Sequence, residues 1–185
     1  AKYAGGLVGQ SFGGTISGSY VSNVAVTGDT DVGGLVGNNR SIITNSYVTG
    51  STIFGATNVG GLVGNNASQS TTGALSYVGS ISNTYVSGGT VTGTASSTGG
   101  LVGFNDSFNG ALVSASYWNQ IGTGGGPSFG IGNDTGIRDG TDVGAARLTT
   151  AQMLQQSSFT GWDFANTWRG YNGHSAPLLK SFLTR

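Results

Sequence analysis

The chain has 185 residues, no net charge, 8% charged residues, 36 glycines, two prolines and no cysteine. This composition excludes disulfide staples, thiolate metal sites and a cysteine nucleophile, and glycine without a G-X-Y period excludes collagen. The seven cations (Lys2, Arg40, Arg138, Arg147, Arg169, Lys180 and Arg185) are scattered and form no basic patch, so nucleic acid is not an expected partner.

Ala1 leads straight into Tyr3-Ala4-Gly5 with no visible leader, as in a mature product or a segment of something longer. No apolar run approaches the roughly 20 residues of a membrane-spanning helix, so no membrane insertion is expected. Recurring Val, Ile, Thr, Tyr and Phe favour ordered strands over disorder.

The first two thirds of the chain repeat. Gly-Gly-Leu-Val-Gly occurs four times, at 5–9, 33–37, 60–64 and 99–103. Its recurring residues are Gly6, Leu7 and Gly9; Gly34, Leu35 and Gly37; Gly61, Leu62 and Gly64; and Gly100, Leu101 and Gly103. The leucines lie 28, 27 and 39 residues apart, the last interval lengthened by an insertion at about 67–79. A second element follows each copy: Ile16 to Tyr20, Ile43 to Tyr47, Ile81 to Tyr85, and more loosely Val113 to Tyr117. A polar residue follows the first element at Gln10, Asn38, Asn65 and, one place later, Asn105.

A unit of this length cannot enclose a core alone, so each copy reads as one turn of a coil. Like residues then stack at about 4.8 Å from rung to rung, asparagines among them as amide ladders. In-register stacking would set like charges on one another, which fits the charge-free stretch 41–105. Strict alternation puts Ile and Tyr of the second element on one face, and leaves open which face points inward. The expected fold is all-β, a right-handed parallel β-solenoid of about four rungs over 1–122. An antiparallel sandwich of recurring hairpins is the alternative.

From 123 to 185 the pattern dissolves, first into Gly124-Gly125-Gly126-Pro127. Thr149-x-x-Gln152 predicts a capped short helix to about Gln156. Phe159, Trp162, Phe164, Trp168, Leu178 and Leu179 predict the core of a small mixed cap closing the last rung. An aromatic sugar-binding platform is the alternative reading of the tryptophans.

Catalytic chemistry is thinly represented. His174 is the single histidine and Glu is absent, which excludes a zincin. The strongest enzyme reading groups Asp134, Asp139 and Asp142 with Arg138 and Arg147, as on polysaccharide-cleaving β-helices; turn-forming Asn-Asp and Asp-Gly explain the same residues. These acids, or Asp29 with Asp31, would be weak calcium ligands. No catalytic, cofactor or metal residue is assigned. Asn-x-Ser/Thr sequons occur at Asn39, Asn66, Asn105 and Asn133. Thr90-x-Thr92-x-Thr94 alone has ice-binding spacing.

Gly-Gly-Leu-Val-Gly-Asn followed by Ile-x-Asn-Ser-Tyr-Val-x-Gly resembles the GLUG motif of bacterial filamentous-haemagglutinin-type adhesins and some immunoglobulin A peptidases. The resemblance covers about 5–119, and the tail is similar to segments that close such arrays. It implies a secreted, cell-surface location and a non-enzymatic structural or adhesive role. Host-surface or glycan ligands and end-to-end self-association are the implied partners, with no cofactor.

Overall fold

The computed structural model describes residues 1–70, 76–94, 97–119, 127–136 and 143–183. The repeat becomes a stack of rungs. The first comprises β1 (Tyr3–Gly5), β2 (Val8–Ser17), β3 (Tyr20–Ser22) and β4 (Ala25–Thr27). The second comprises β5 (Asp31–Gly33) and the long β6 (Val36–Gly55). The third holds β7 (Asn58–Gly60), β8 (Val63–Asn66), an inserted hairpin of β9 (Ser68–Ser70) and β10 (Ser76–Val78), and β11 (Ser80–Gly93). The fourth holds β12 (Thr98–Gly99), β13 (Val102–Asn105), β14 (Leu112–Ser114) and β15 (Ser116–Trp118).

Every rung-to-rung pair among the described strands is parallel, and the motif positions join like to like: Val8 to Val36 to Val63 to Val102, and Tyr20 to Tyr47 to Tyr85 to Tyr117. The large sheet winds 264° round a common axis. Among the described strands, antiparallel pairing is confined to β9 with β10 and to β18 (Trp168–Tyr171) with β19 (Ser175–Leu179). A recurring-hairpin sandwich is thereby overturned in favour of a β-solenoid-like coil.

The ladder does not stop at residue 122. Ile131–Asp134 (β16) adds to β13, and Ala145–Arg147 (β17) adds to β15, forming a partial fifth rung. The signal was present: Gly132 falls on the register of Gly103, and Asp134 on that of Asn105.

Leu35, Leu62 and Leu101 are wholly buried in one core column with Val36, Val63, Val102, Ile43 and Ile81. Leu7, on the first rung, is 50% exposed because no rung lies beyond it among the described residues. A second, smaller column holds Val26, Val32, Ile53 and Val59.

The motif glycines are set by backbone proximity. A Cβ on Gly61 would lie 2.2 Å from the Gly100 carbonyl oxygen of the next rung and 2.9 Å from Val86 Cγ1. Neither rung can move away without breaking its ladder.

Ile and Tyr of the second element do not share a face, which corrects the alternation reading. Ile43 and Ile81 point into the main core, whereas Tyr47 and Tyr85 belong to a separate cluster on the outside. The cause is one left-handed residue between them in each rung: Gly18, Asn45, Asn83 and Ala115, with φ of 56°, 48°, 51° and 42°. A left-handed residue interrupts the period of two and turns a corner. Gly and Asn adopt this conformation readily, but alanine does so at a cost of about 1–2 kcal/mol. The hydroxyls of Ser19, Ser46 and Ser116 close the corner by donating to the carbonyls of Ser17, Thr44 and Ser114.

Gly61→Ala is expected to destabilise the chain by about 3 kcal/mol or more, from a backbone clash that cannot relax; the urea midpoint measures it. Ala115→Gly should act oppositely and gain about 1 kcal/mol by relieving a left-handed alanine.

Candidate functional site

Tyrosines turned outward would leave a hydrophobic stripe in water. Tyr20, Tyr47 and Tyr85 stack face to face, with centroids 5.1 and 4.9 Å apart and planes within 10° and 2°. Such pairs contribute about 0.5–1.5 kcal/mol each beyond area burial. The tail lies along this stripe. Thr149 and Gln152 form the expected capping box on a short helix, α1 (Thr150–Met153), and a 3-10 turn at Gln156–Ser158 replaces its predicted continuation. Met153, Phe159, Trp162, Trp168 and Leu179 then pack on Tyr47, Tyr85 and Tyr117, with Phe164 partly buried beside them.

Polar atoms fix the alignment. The Tyr85 hydroxyl donates to the Pro177 carbonyl at 2.9 Å, and Trp162 Nε1 donates to the Ala115 carbonyl at 2.9 Å. Trp168 Nε1 donates to Asn45 Oδ1 at 3.4 Å, so a corner residue also anchors the tail. Phe182 meets the Tyr20 ring edge-on at 4.9 Å. Burial, with Tyr47 adding to it, holds the Tyr85 phenol well above the ordinary tyrosine range. Burial and then Tyr20 raise Tyr47 as well.

The expected cap core therefore lies on the flank of the coil, spanning its first to fourth rungs, and not over the last rung. The reason is that the largest unsatisfied apolar surface is the tyrosine stripe. Trp162 and Trp168 are buried against it, which leaves no open aromatic platform at these residues.

A second ladder runs inside the coil. Ser11 Oγ donates to Asn39 Oδ1, Asn39 Nδ2 to Asn66 Oδ1 and Asn66 Nδ2 to Asn105 Oδ1, at 2.9, 2.8 and 2.8 Å. Asn105 Nδ2 ends the run on Asp134 Oδ2 at 3.2 Å, and Ser107 also donates to that carboxylate. The ladder thus uses the residue after Gln10, Asn38 and Asn65; the doubled asparagines of rungs two and three were its signal. Asn39, Asn66 and Asn105 are buried in it, so three of the four sequons are structural in the folded chain. Asn133 remains partly exposed.

No other site expected from the sequence assembles among the described residues. Asp139, Asp142 and Arg138 lie outside the described residues, as do Gly124 to Gly126 and part of the 67–79 insertion. Asp134 serves the amide ladder, and His174 occupies an exposed turn. Among the described residues, no group of three His, Cys, Asp or Glu side chains could hold a metal ion. Thr90 lies beside Thr52, but Thr92 lies beside Phe54, which interrupts the threonine array.

The hairpin of the third rung lies beside β2 and β6 of the first two rungs. Tyr77 packs edge-on to Phe12 at 6.1 Å, and Arg40 lies over the same Phe12 ring. Ile42 and Leu112 flank Ser80 at the hairpin's exit, and both are exposed, as is Phe108.

These features define a β-rich repeat module with a flanking tail. A family model, the GLUG motif, matches it twice, over residues 1–27 and 28–53, the first and most of the second rung. Together the two matches cover 53 of the 185 residues, so the likeness rests on the first two rungs. Comparison with curated proteins and with solved structures found no match.

Tyr85→Phe is expected to cost about 1–2 kcal/mol, because it leaves the buried Pro177 carbonyl without a donor. Chemical denaturation of the two chains measures the difference.

Proposed function

We propose that the chain is a non-enzymatic structural and adhesive module of an exported bacterial surface protein, wound right-handed as parallel crossovers overwhelmingly are. The observation that carries this reading is the inserted hairpin. A stack of repeated rungs carries a hairpin insertion in its third rung, and Tyr77 of that hairpin packs on Phe12 near exposed Ile42 and Leu112. Exposed apolar side chains gathered beside an inserted loop on a rigid scaffold are a usual form of a recognition surface. The partner is a host surface or glycan that meets this broad face. The coil up to the fifth rung forms the stalk, and the segment from 148 onward forms its lateral cover. The coil and its GLUG repeats support the structural half of this reading.

The register supplies a clean test. Asn39 pairs with Asn66 and Ile42 with Ser80, so removing residues 68–78 restores the second-rung spacing in the third. The shortened chain is expected to fold and to lose saturable binding to immobilised host-cell glycans that the full chain retains. Equal binding by the two chains, or none by either, would falsify the hairpin's adhesive role.

A further inference from the structure

Asp31 is 3% exposed, an expensive place for a carboxylate. Its partners are neutral amides. Asn38 Nδ2 donates to its Oδ2 at 2.5 Å and Asn65 Nδ2 to the same oxygen at 3.3 Å, while Asn58 Nδ2 reaches Oδ1 at 2.7 Å. The other ends of two of these amides are unsatisfied: Asn38 Oδ1 and Asn65 Oδ1 are buried and receive no donor. Asn38 itself is only 2% exposed. The two asparagines are direct cross-strand partners on β6 and β8, so their orphaned oxygens belong to one locus. Among the described residues that locus occurs once, because Gln10 and Phe104 occupy the equivalent positions of the first and fourth rungs.

Two lone acceptor oxygens beside a buried negative charge call for a positive, oxygen-seeking ligand. We propose that Asn38 and Asn65 present carbonyl oxygens to a hard cation whose charge Asp31 balances, a calcium-type site within the second and third rungs. The site stands apart from the adhesive surface and does not depend on it. Backbone carbonyls and water would complete the shell, as hard cations take six to eight oxygens. One carboxylate makes a weak site, with a Kd for calcium of about 10⁻⁴–10⁻³ M. A cation here would join the second and third rungs a second time, beside the Asn39–Asn66 step of the inner amide ladder.

Thermal unfolding of the full chain, dialysed against EDTA, tests this with calcium, magnesium or sodium chloride added at ionic strength held by choline chloride. Calcium at about ten times its Kd is expected to raise Tm by about 3–6 °C. Asp31→Asn should abolish the rise, and Asp106→Asn should keep it. No rise with any of the three salts, or a rise that survives Asp31→Asn, overturns the site. Should Asp31→Asn fail to fold, Asn65→Ala at its partly exposed position must weaken calcium binding in calorimetric titration. Unchanged affinity there overturns the proposal equally.

Discussion

Parallel hydrogen bonding from rung to rung sets each residue about 4.8 Å from its counterpart. Everything else in the molecule follows from that restriction. The repeated positions of a rung favour side chains that tolerate a copy of themselves above and below. Leucine, valine and isoleucine do so by packing, tyrosine by ring stacking, and asparagine by passing a hydrogen bond from one amide to the next. Lysine and glutamate do not, and the stretch 41–105 carries no charge at all. Glycine enters where two backbones approach too closely for a Cβ, as at Gly61.

Stacking alone would give a flat sheet. The left-handed residues at 18, 45, 83 and 115 convert it into a coil and also sort the side chains, with isoleucine inward and tyrosine outward. Curvature and surface chemistry therefore share one origin. The corner that closes the core also creates an aromatic stripe that needs covering, and the tail supplies the cover. Trp168, donating to Asn45, joins the two features directly.

The parallel coil was legible because Gly-Gly-Leu-Val-Gly recurs at nearly constant intervals, and like residues pair in the register those intervals imply. The capping box at Thr149 was equally plain, since both of its side chains are local. The split between Ile43 and Tyr47 was hidden, because a period of two says nothing about a single residue with positive φ. The recurrence of Asn or Gly at that position was the available clue. The tail's destination was not written locally at all: Trp162 and Trp168 announce burial, but only the tyrosine stripe determines where. The inner ladder was half legible. Its asparagines were visible, yet Asn38 and Asn39 are both buried, and choosing between them requires knowing which one meets its counterpart and which one turns to Asp31.

Repeat stacks whose units touch only their neighbours can fray from either end, one unit at a time. The tail changes that arithmetic. By reaching from Phe182 on Tyr20 to Phe159 and Trp162 on Tyr117, it bridges rungs that share no strand pairing. Peeling the first rung therefore also disturbs contacts anchored on the fourth. A pull along the coil axis loads the strap in shear, distributed over several aromatic contacts, before any terminal strand can unzip. The lateral strap thus works as a mechanical tie-rod, giving a short solenoid the all-or-none yield of a single packed body.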